Sequence, residues 1–237
     1  MKKSSFSRYR FPAVAAVITG KVSGRTIKKA VSEGAGLLEL RVDTFGQRGI
    51  RPLVESIKGI RKIKGARAVP LIITVRKMEE GGGAWISDKE RAAIFKALMP
   101  YAGLIDVELS SARALKEIIR LAKKDKKAVI ISHHDFRKTP AEAGVRRIIK
   151  RALSAGADIV KVAALAKSAE DIKTLARVAL DYKNLIVIAM GETGVLSRVF
   201  FPALGSLITY GSATGSTAPG QLKLKKLKKE LGFYGII

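Results

Sequence analysis

The sequence contains no cysteine, which removes disulfides, thiolate metal sites and cysteine nucleophiles at once and fits a reducing compartment. Histidine occurs twice, at His133 and His134. A zinc site is not expected, because adjacent strand residues rarely converge on one metal and no third histidine or cysteine exists. Asparagine is found once (Asn184) and glutamine twice (Gln47, Gln221), a scarcity of thermolabile side chains that makes a thermophilic source the expectation. Aromatic residues supply only 6% of the chain against 47% hydrophobic residues in all, so the interior must be built mainly from Ala, Val, Ile and Leu. No apolar run approaches the ~20 residues of a membrane span. After the basic start MKKSSFSRYR, the run Phe11 to Ile18 is interrupted by Thr19, Gly20 and Lys21 with no small-residue cleavage site. It reads as a first strand and not a signal peptide, and a cytoplasmic protein is expected.

Acidic residues are also scarce, with 20 Asp and Glu against 45 Lys and Arg and a net charge of +25. Clustered cations would point to nucleic acid, through release of phosphate counterions. Here they spread over most predicted helices, are densest in KLKKLKKEL from Lys223, and have no interleaved aromatics for base stacking. Solubility and attraction of small anions are the simpler readings, and no obligatory nucleic-acid partner is expected.

What is present is alternation. Eight strand-like runs, each followed by a helix-like segment, occupy Ala13 to Thr19, Gly36 to Asp43, Val69 to Arg76, Gly103 to Leu109, Ala128 to Phe136, Ala157 to Leu165, Leu185 to Met190 and Ser206 to Tyr210. Helices are predicted from Arg25 to Glu33, with Gly34 and Gly36 as stop signals, and from Pro52 to Lys62. Others run from Ser87, which has capping-box spacing to Glu90, from Ser111 to Lys124, from near Thr139 and Pro140, from Ser168 to Tyr182, from Leu196 to Leu204, and through the basic C-terminal run. A chain of 237 residues is the size one α/β barrel commonly uses. The expected fold is therefore an α/β (β/α)8 TIM barrel, one domain over 1–237 with 1–10 as a basic N-terminal segment. A doubly wound sheet would carry a glycine-rich fingerprint after its first strand, and Gly20 and Gly24 do not make one.

Barrel enzymes work at the C-terminal ends of their strands. Polar residues collect there: Glu39, Arg41, Arg76, Glu108, His133, His134, Lys161, Met190 and Glu192. Lys161 lies between Val160 and Val162 and is either a desolvated amine able to attack a carbonyl or a lysine paired with a carboxylate such as Glu108. One of the two histidines should face the barrel axis, as a proton-transfer group or a hydrogen-bonded structural residue. Glu39, Arg41 and Asp43 share a strand face, as a Glu39–Arg41 ion pair or a polar clamp for substrate hydroxyls. Arg198 is a carboxylate clamp or a surface cation. Gly81 to Gly83 form a plain linker or a lid with Glu80 at its hinge.

Taken together, ELRVD at Glu39, TVR with EEGG across Thr74 to Gly82, SHHDF from Ser132, the VKVA lysine, MGETGVLSR from Met190 and APGQ near the end resemble the type I 3-dehydroquinate dehydratase family of the shikimate pathway. The resemblance spans nearly the whole chain and implies a (β/α)8 hydro-lyase that forms a Schiff base and needs no cofactor. It implies Lys161 as the imine-forming lysine, His134 as general acid/base, and Glu80 as the group that orients the histidine. Glu39, Arg41, Arg76, Arg198, Thr217 and Gln221 match the polar substrate shell, with Met190 and Tyr210 at apolar positions around it. Ile188 stands where the bacterial pattern has methionine and Thr217 where it has serine, and the family's first-strand serine has no assigned match in AAVITG. The implied partner is the small anion 3-dehydroquinate, and a homodimer is compatible with the chain. The rivals are an imine-forming aldolase barrel, with phosphate held near the loop Gly211 to Gly220, and a basic nucleic-acid-binding protein.

Overall fold

The structure is a computed structural model that describes residues 6, 8–46, 49–215 and 218–237. Apolar β-rich runs separated by amphipathic segments form strands β1 (Ala13–Ile18), β2 (Leu37–Arg41), β3 (Leu71–Thr74), β4 (Leu104–Glu108), β5 (Ala128–Asp135), β6 (Ile159–Leu165), β7 (Leu185–Met190) and β8 (Ile208–Ser212). Between and after them lie α1 (Gly24–Ser32), α2 (Ile50–Lys62), α3 (Asp88–Leu98), α4 (Lys116–Lys124), α5 (Glu142–Ser154), α6 (Ala169–Asp181), α7 (Ser197–Ala203) and α8 (Leu224–Phe233). All paired strands are parallel, in the order β7-β6-β5-β4-β3-β2-β1-β8. The sheet nearly closes into a barrel. At the seam Leu207 N–H donates to the Leu185 carbonyl at 2.9 Å and Val187 N–H to Ser206 Oγ at 3.0 Å.

The period of two along each strand divides the core into two shells. Residues such as Val14, Leu38, Ile73, Ile105, Ile131 and Val162 face the helices. Ala15, Leu37, Ile72, Leu104, Ile130, Ile159, Ile186 and Ile208 fill the barrel axis. Phe6, Tyr9 and Phe11 pack against this inner shell, and Tyr9 donates to the Gly103 carbonyl at 3.0 Å. These three aromatic residues thus cover the end of the barrel opposite the strand C-termini.

Local signals behave as their chemistry requires. Ser87 and Glu90 cap α3 reciprocally, and Ser168 with Asp171 does the same for α6. Gly34, at φ 82°, ends α1, whereas Gly36 packs on Val14 as the chain enters β2. Helix α4 starts later than its pattern predicts, because Leu109–Ser111 forms a separate single turn and the Ser111 hydroxyl accepts from Arg91 at 2.7 Å. Among the described residues no helix is long and apolar enough to cross a membrane.

Candidate active site

Val160 and Val162 pack outward, so Lys161 between them points along the barrel axis. Its Nζ lies 3.1 Å from Asp106 Oδ2, 3.8 Å from Glu39 Oε1 and 4.3 Å from the centroid of the Tyr210 ring. Asp106 is fully buried and also accepts from Arg76 at 2.8 Å and Ser132 at 2.6 Å. Burial pushes its carboxyl up, but the charges of Arg76 and Lys161 win and hold it far below the usual carboxylate range.

Two pairings expected from sequence are corrected here. The lysine's partner is Asp106 and not Glu108, whose oxygens are taken by Arg91, by Arg76 at 2.9 Å and by the Lys77 N–H at 2.9 Å. Nor do Glu39 and Arg41 pair. Neighbours on one strand face stand ~6.6 Å apart, and Asp43 in the turn Val42–Thr44 offers Arg41 a bidentate partner at 3.0 and 2.7 Å. Glu39 instead accepts from Thr74 at 2.9 Å.

On β5 the alternation puts His134 on the same face as Ser132, towards the axis, and leaves His133 on the opposite face with Ile131. In register, Ser132 lies opposite Lys161 and His134 opposite Ala163, so the histidine sits one interior position nearer the mouth than the lysine. Glu80, in the single turn Met78–Glu80, holds it at two points: Oε2 is 3.0 Å from His134 Nδ1 and accepts the His134 backbone N–H at 3.0 Å. Ser110 donates to the other Glu80 oxygen at 2.7 Å. The imidazole stacks on Phe136 with rings 16° from parallel. Burial, then the nearby positive charge of Arg76, depress the histidine pKa to about 3 despite the Glu80 hydrogen bond. Its free Nε2 is thus a neutral base at ordinary pH. For Glu80, burial acts upward, but the hydrogen bond from His134 and those that follow it lower the pKa.

The cavity above Lys161 is lined by Lys161, His134, Glu80, Glu39, Arg41, Arg76, Arg198, Gln221, Met190 and Tyr210. Thr217 lies outside the described residues. Glu192 is exposed, and β1 contributes Val17, so no first-strand hydroxyl lines the cavity. Arg198 differs from the other buried cations of the site. It is 2% exposed, donates to the Pro219 carbonyl at 3.1 Å, has its Nε unpartnered, and makes no ion pair with any described residue. Burial alone lowers its pKa to about 10, which leaves it charged at neutral pH and in want of an anion.

A family model for type I 3-dehydroquinase matches residues 19–237. The chain belongs to this family. It is 33% identical to the 3-dehydroquinate dehydratase of Methanococcoides burtonii over 98% of both chains. It is 39% identical to that of Methanosarcina barkeri, over 92% of this chain and 93% of the relative. The crystal structure of the type I 3-dehydroquinate dehydratase of Clostridium difficile, with covalently modified comenic acid, superposes with a TM-score of 0.84 at 29% identity, covering 94% of this chain and 92% of that one. The enzyme from Aquifex aeolicus gives 0.81 at 29% identity, over 94% and 98%. These matches favour neither the aldolase nor the nucleic-acid alternative.

Against this family background, Asp106 is the residue that sequence reasoning passed over. Its signal was available, as the end of LIDVE alternates apolar and charged residues just as ELRVD does. Phe136, which backs His134, read only as the end of a strand motif.

Proposed function

We propose that this chain eliminates water from 3-dehydroquinate to give 3-dehydroshikimate through an imine on Lys161. One observation carries the reading: a buried lysine at the floor of a cavity, with a neutral histidine held one position above it by a carboxylate. Before attack the ammonium must lose a proton, and Glu39 and Asp106 are its immediate carboxylate neighbours. The free amine then adds to the substrate ketone and water leaves. The resulting imine withdraws electrons from the adjacent carbon, His134 removes a proton there, and the same histidine protonates the departing hydroxyl. Hydrolysis of the imine releases the enone and restores Lys161. Glu80 fixes the ring through Nδ1, so that Nε2 faces the substrate.

Arg198 and Gln221 hold the substrate carboxylate, and Thr217 joins the polar shell by its match to the family pattern alone. Glu39, Arg41 and Arg76 address the hydroxyls, while Met190 and Tyr210 supply apolar wall. The positive charge of the protein draws the anion in. We read the chain as one cytoplasmic domain that needs no metal, organic cofactor or nucleic acid for this reaction.

The test is the absorbance of the conjugated product on adding 3-dehydroquinate, with and without borohydride pretreatment in the presence of ligand. Lys161→Ala is expected to abolish both turnover and the reduced adduct while retaining the native circular dichroism spectrum. Turnover by Lys161→Ala would refute the imine.

A further inference from the structure

A small monoanionic substrate does not account for a net charge of +25. Several surface cations are locally compensated. On α5, Arg146 binds Glu142 at 2.7 Å and also Asp181; on α4, Arg120 binds Glu117 at 3.0 Å and Lys123 lies 3.4 Å from Asp158. The groove between these two helices is different. Arg113, Lys116, Arg147, Lys150 and Arg151 line it, all five exposed, and no acidic residue does. Among the described residues none of the five makes an ion pair, because the acids of α4 and α5 are engaged elsewhere.

In a second basic cleft, at the C-terminus of α2, two of the cations have structural uses. There Arg61 donates to the carbonyls of Ala66, Arg67, Val69 and Tyr101, and Lys58 is paired with Glu55 at 2.8 Å. The α4–α5 groove has no such internal use. Arg147 with Lys150 and Arg147 with Arg151 stand at i,i+3 and i,i+4 spacing, where like charges oppose helix formation. Their repulsion is relieved by a multivalent anion.

We propose that this groove binds a linear chain of inorganic polyphosphate. The chemistry selects it on two counts. Cations one helical turn apart require a ligand with closely repeated charge. The remaining lining, Leu109, Ala112, Ser154 and Ala155, contains no aromatic ring on which a base could stack. The site is separate from the cavity above Lys161 and shares no lining residue with it.

The test titrates the full chain with inorganic polyphosphate by calorimetry at two salt concentrations. The groove variant Arg147→Gln/Lys150→Gln/Arg151→Gln is compared with Lys225→Gln/Lys226→Gln/Lys229→Gln on α8, which removes the same charge. The groove variant is expected to bind at least tenfold more weakly at ~0.1 M salt, with a shallower salt dependence, and the α8 variant to stay close to the parent. Polyphosphate should raise the melting temperature of the parent and not of the groove variant, and dehydratase turnover should be the same in all three. Equal losses in the two variants would assign binding to diffuse charge and overturn the proposal. So would a single-stranded RNA of equal phosphate number that binds through the groove as tightly as polyphosphate.

Discussion

At the scale of single residues, the site separates two jobs that a histidine could in principle share. His134 is largely shielded, neutral and tied through Nδ1 to Glu80, whereas His133 points to the helix layer. His134→Ala is therefore expected to lower turnover by roughly 10²–10⁴-fold with the imine still trapped by borohydride, and His133→Ala to stay within a few-fold of the parent; the reverse ranking would assign the wrong histidine. With its pKa depressed to about 3 by burial and Arg76, His134 stays unprotonated in the free enzyme well below neutrality. The profile of kcat/KM should show no acid limb attributable to this group between pH 5 and 7, and a limb near pH 6.5 that vanishes in His134→Ala would contradict the assignment. Most of these residues could be read from the sequence because each interrupts an apolar run. Their pairings could not, since alternation assigns a face but not which of several carboxylates on that face meets which cation. Asp106, and not Glu108, beside Lys161 is the case in point.

At the scale of elements, the loop after β3 decides where Glu80 stands. The glycines that could have served a plain linker or a lid are instead pinned. Gly81 has φ 85° and its carbonyl accepts from Arg41 at 2.8 Å, while Gly83 N–H donates to Asp43 at 2.9 Å. A Cβ on Gly82 would lie 2.4 Å from the Arg76 carbonyl oxygen, so alanine there must move the turn that carries Glu80. Gly82→Ala is expected to reduce kcat by up to ~10²-fold, as a misplacement near 1 Å does, while leaving the adduct with Lys161 trappable; wild-type kcat would show that the turn tolerates the shift. Strand positions were legible because the period of two is strict inside a barrel. Boundaries drifted where a side chain rather than the backbone ends the element. Ser206, read as the start of the last strand, is instead spent on Val187 across the seam, and β8 begins at Ile208.

At the scale of the whole molecule, the buried polar centre makes stability depend on pH with a definite sign. A solvated histidine titrates near 6.5, whereas burial and Arg76 hold His134 at about 3 in the fold, so between those values the unfolded chain binds a proton that the native state refuses. Stability is full above pH 6.5 and falls with acidification, by at most ~1.4 kcal/mol per pH unit from this group. Asp106 and Glu80, both lowered in the fold, act in the same direction at still lower pH. The urea midpoint should thus be lower at pH 4.5 than at pH 7, and an unchanged midpoint would argue against a buried neutral imidazole. One feature of the barrel reaches further than its geometry suggests. The seam between β7 and β8 is stitched mainly by Leu207, Ser206 and the Gly191 N–H on the Pro219 carbonyl at 3.2 Å, and Arg198 reaches over it to that same carbonyl. Arg198 comes from the β7 side and Gln221 from the β8 side, so an anion held between them would act as an added rung. Deuterium uptake at the amides of Leu207 and Gly191 should slow on ligand binding more than that of β4 and β5, which makes the substrate the last stave that tightens the cask.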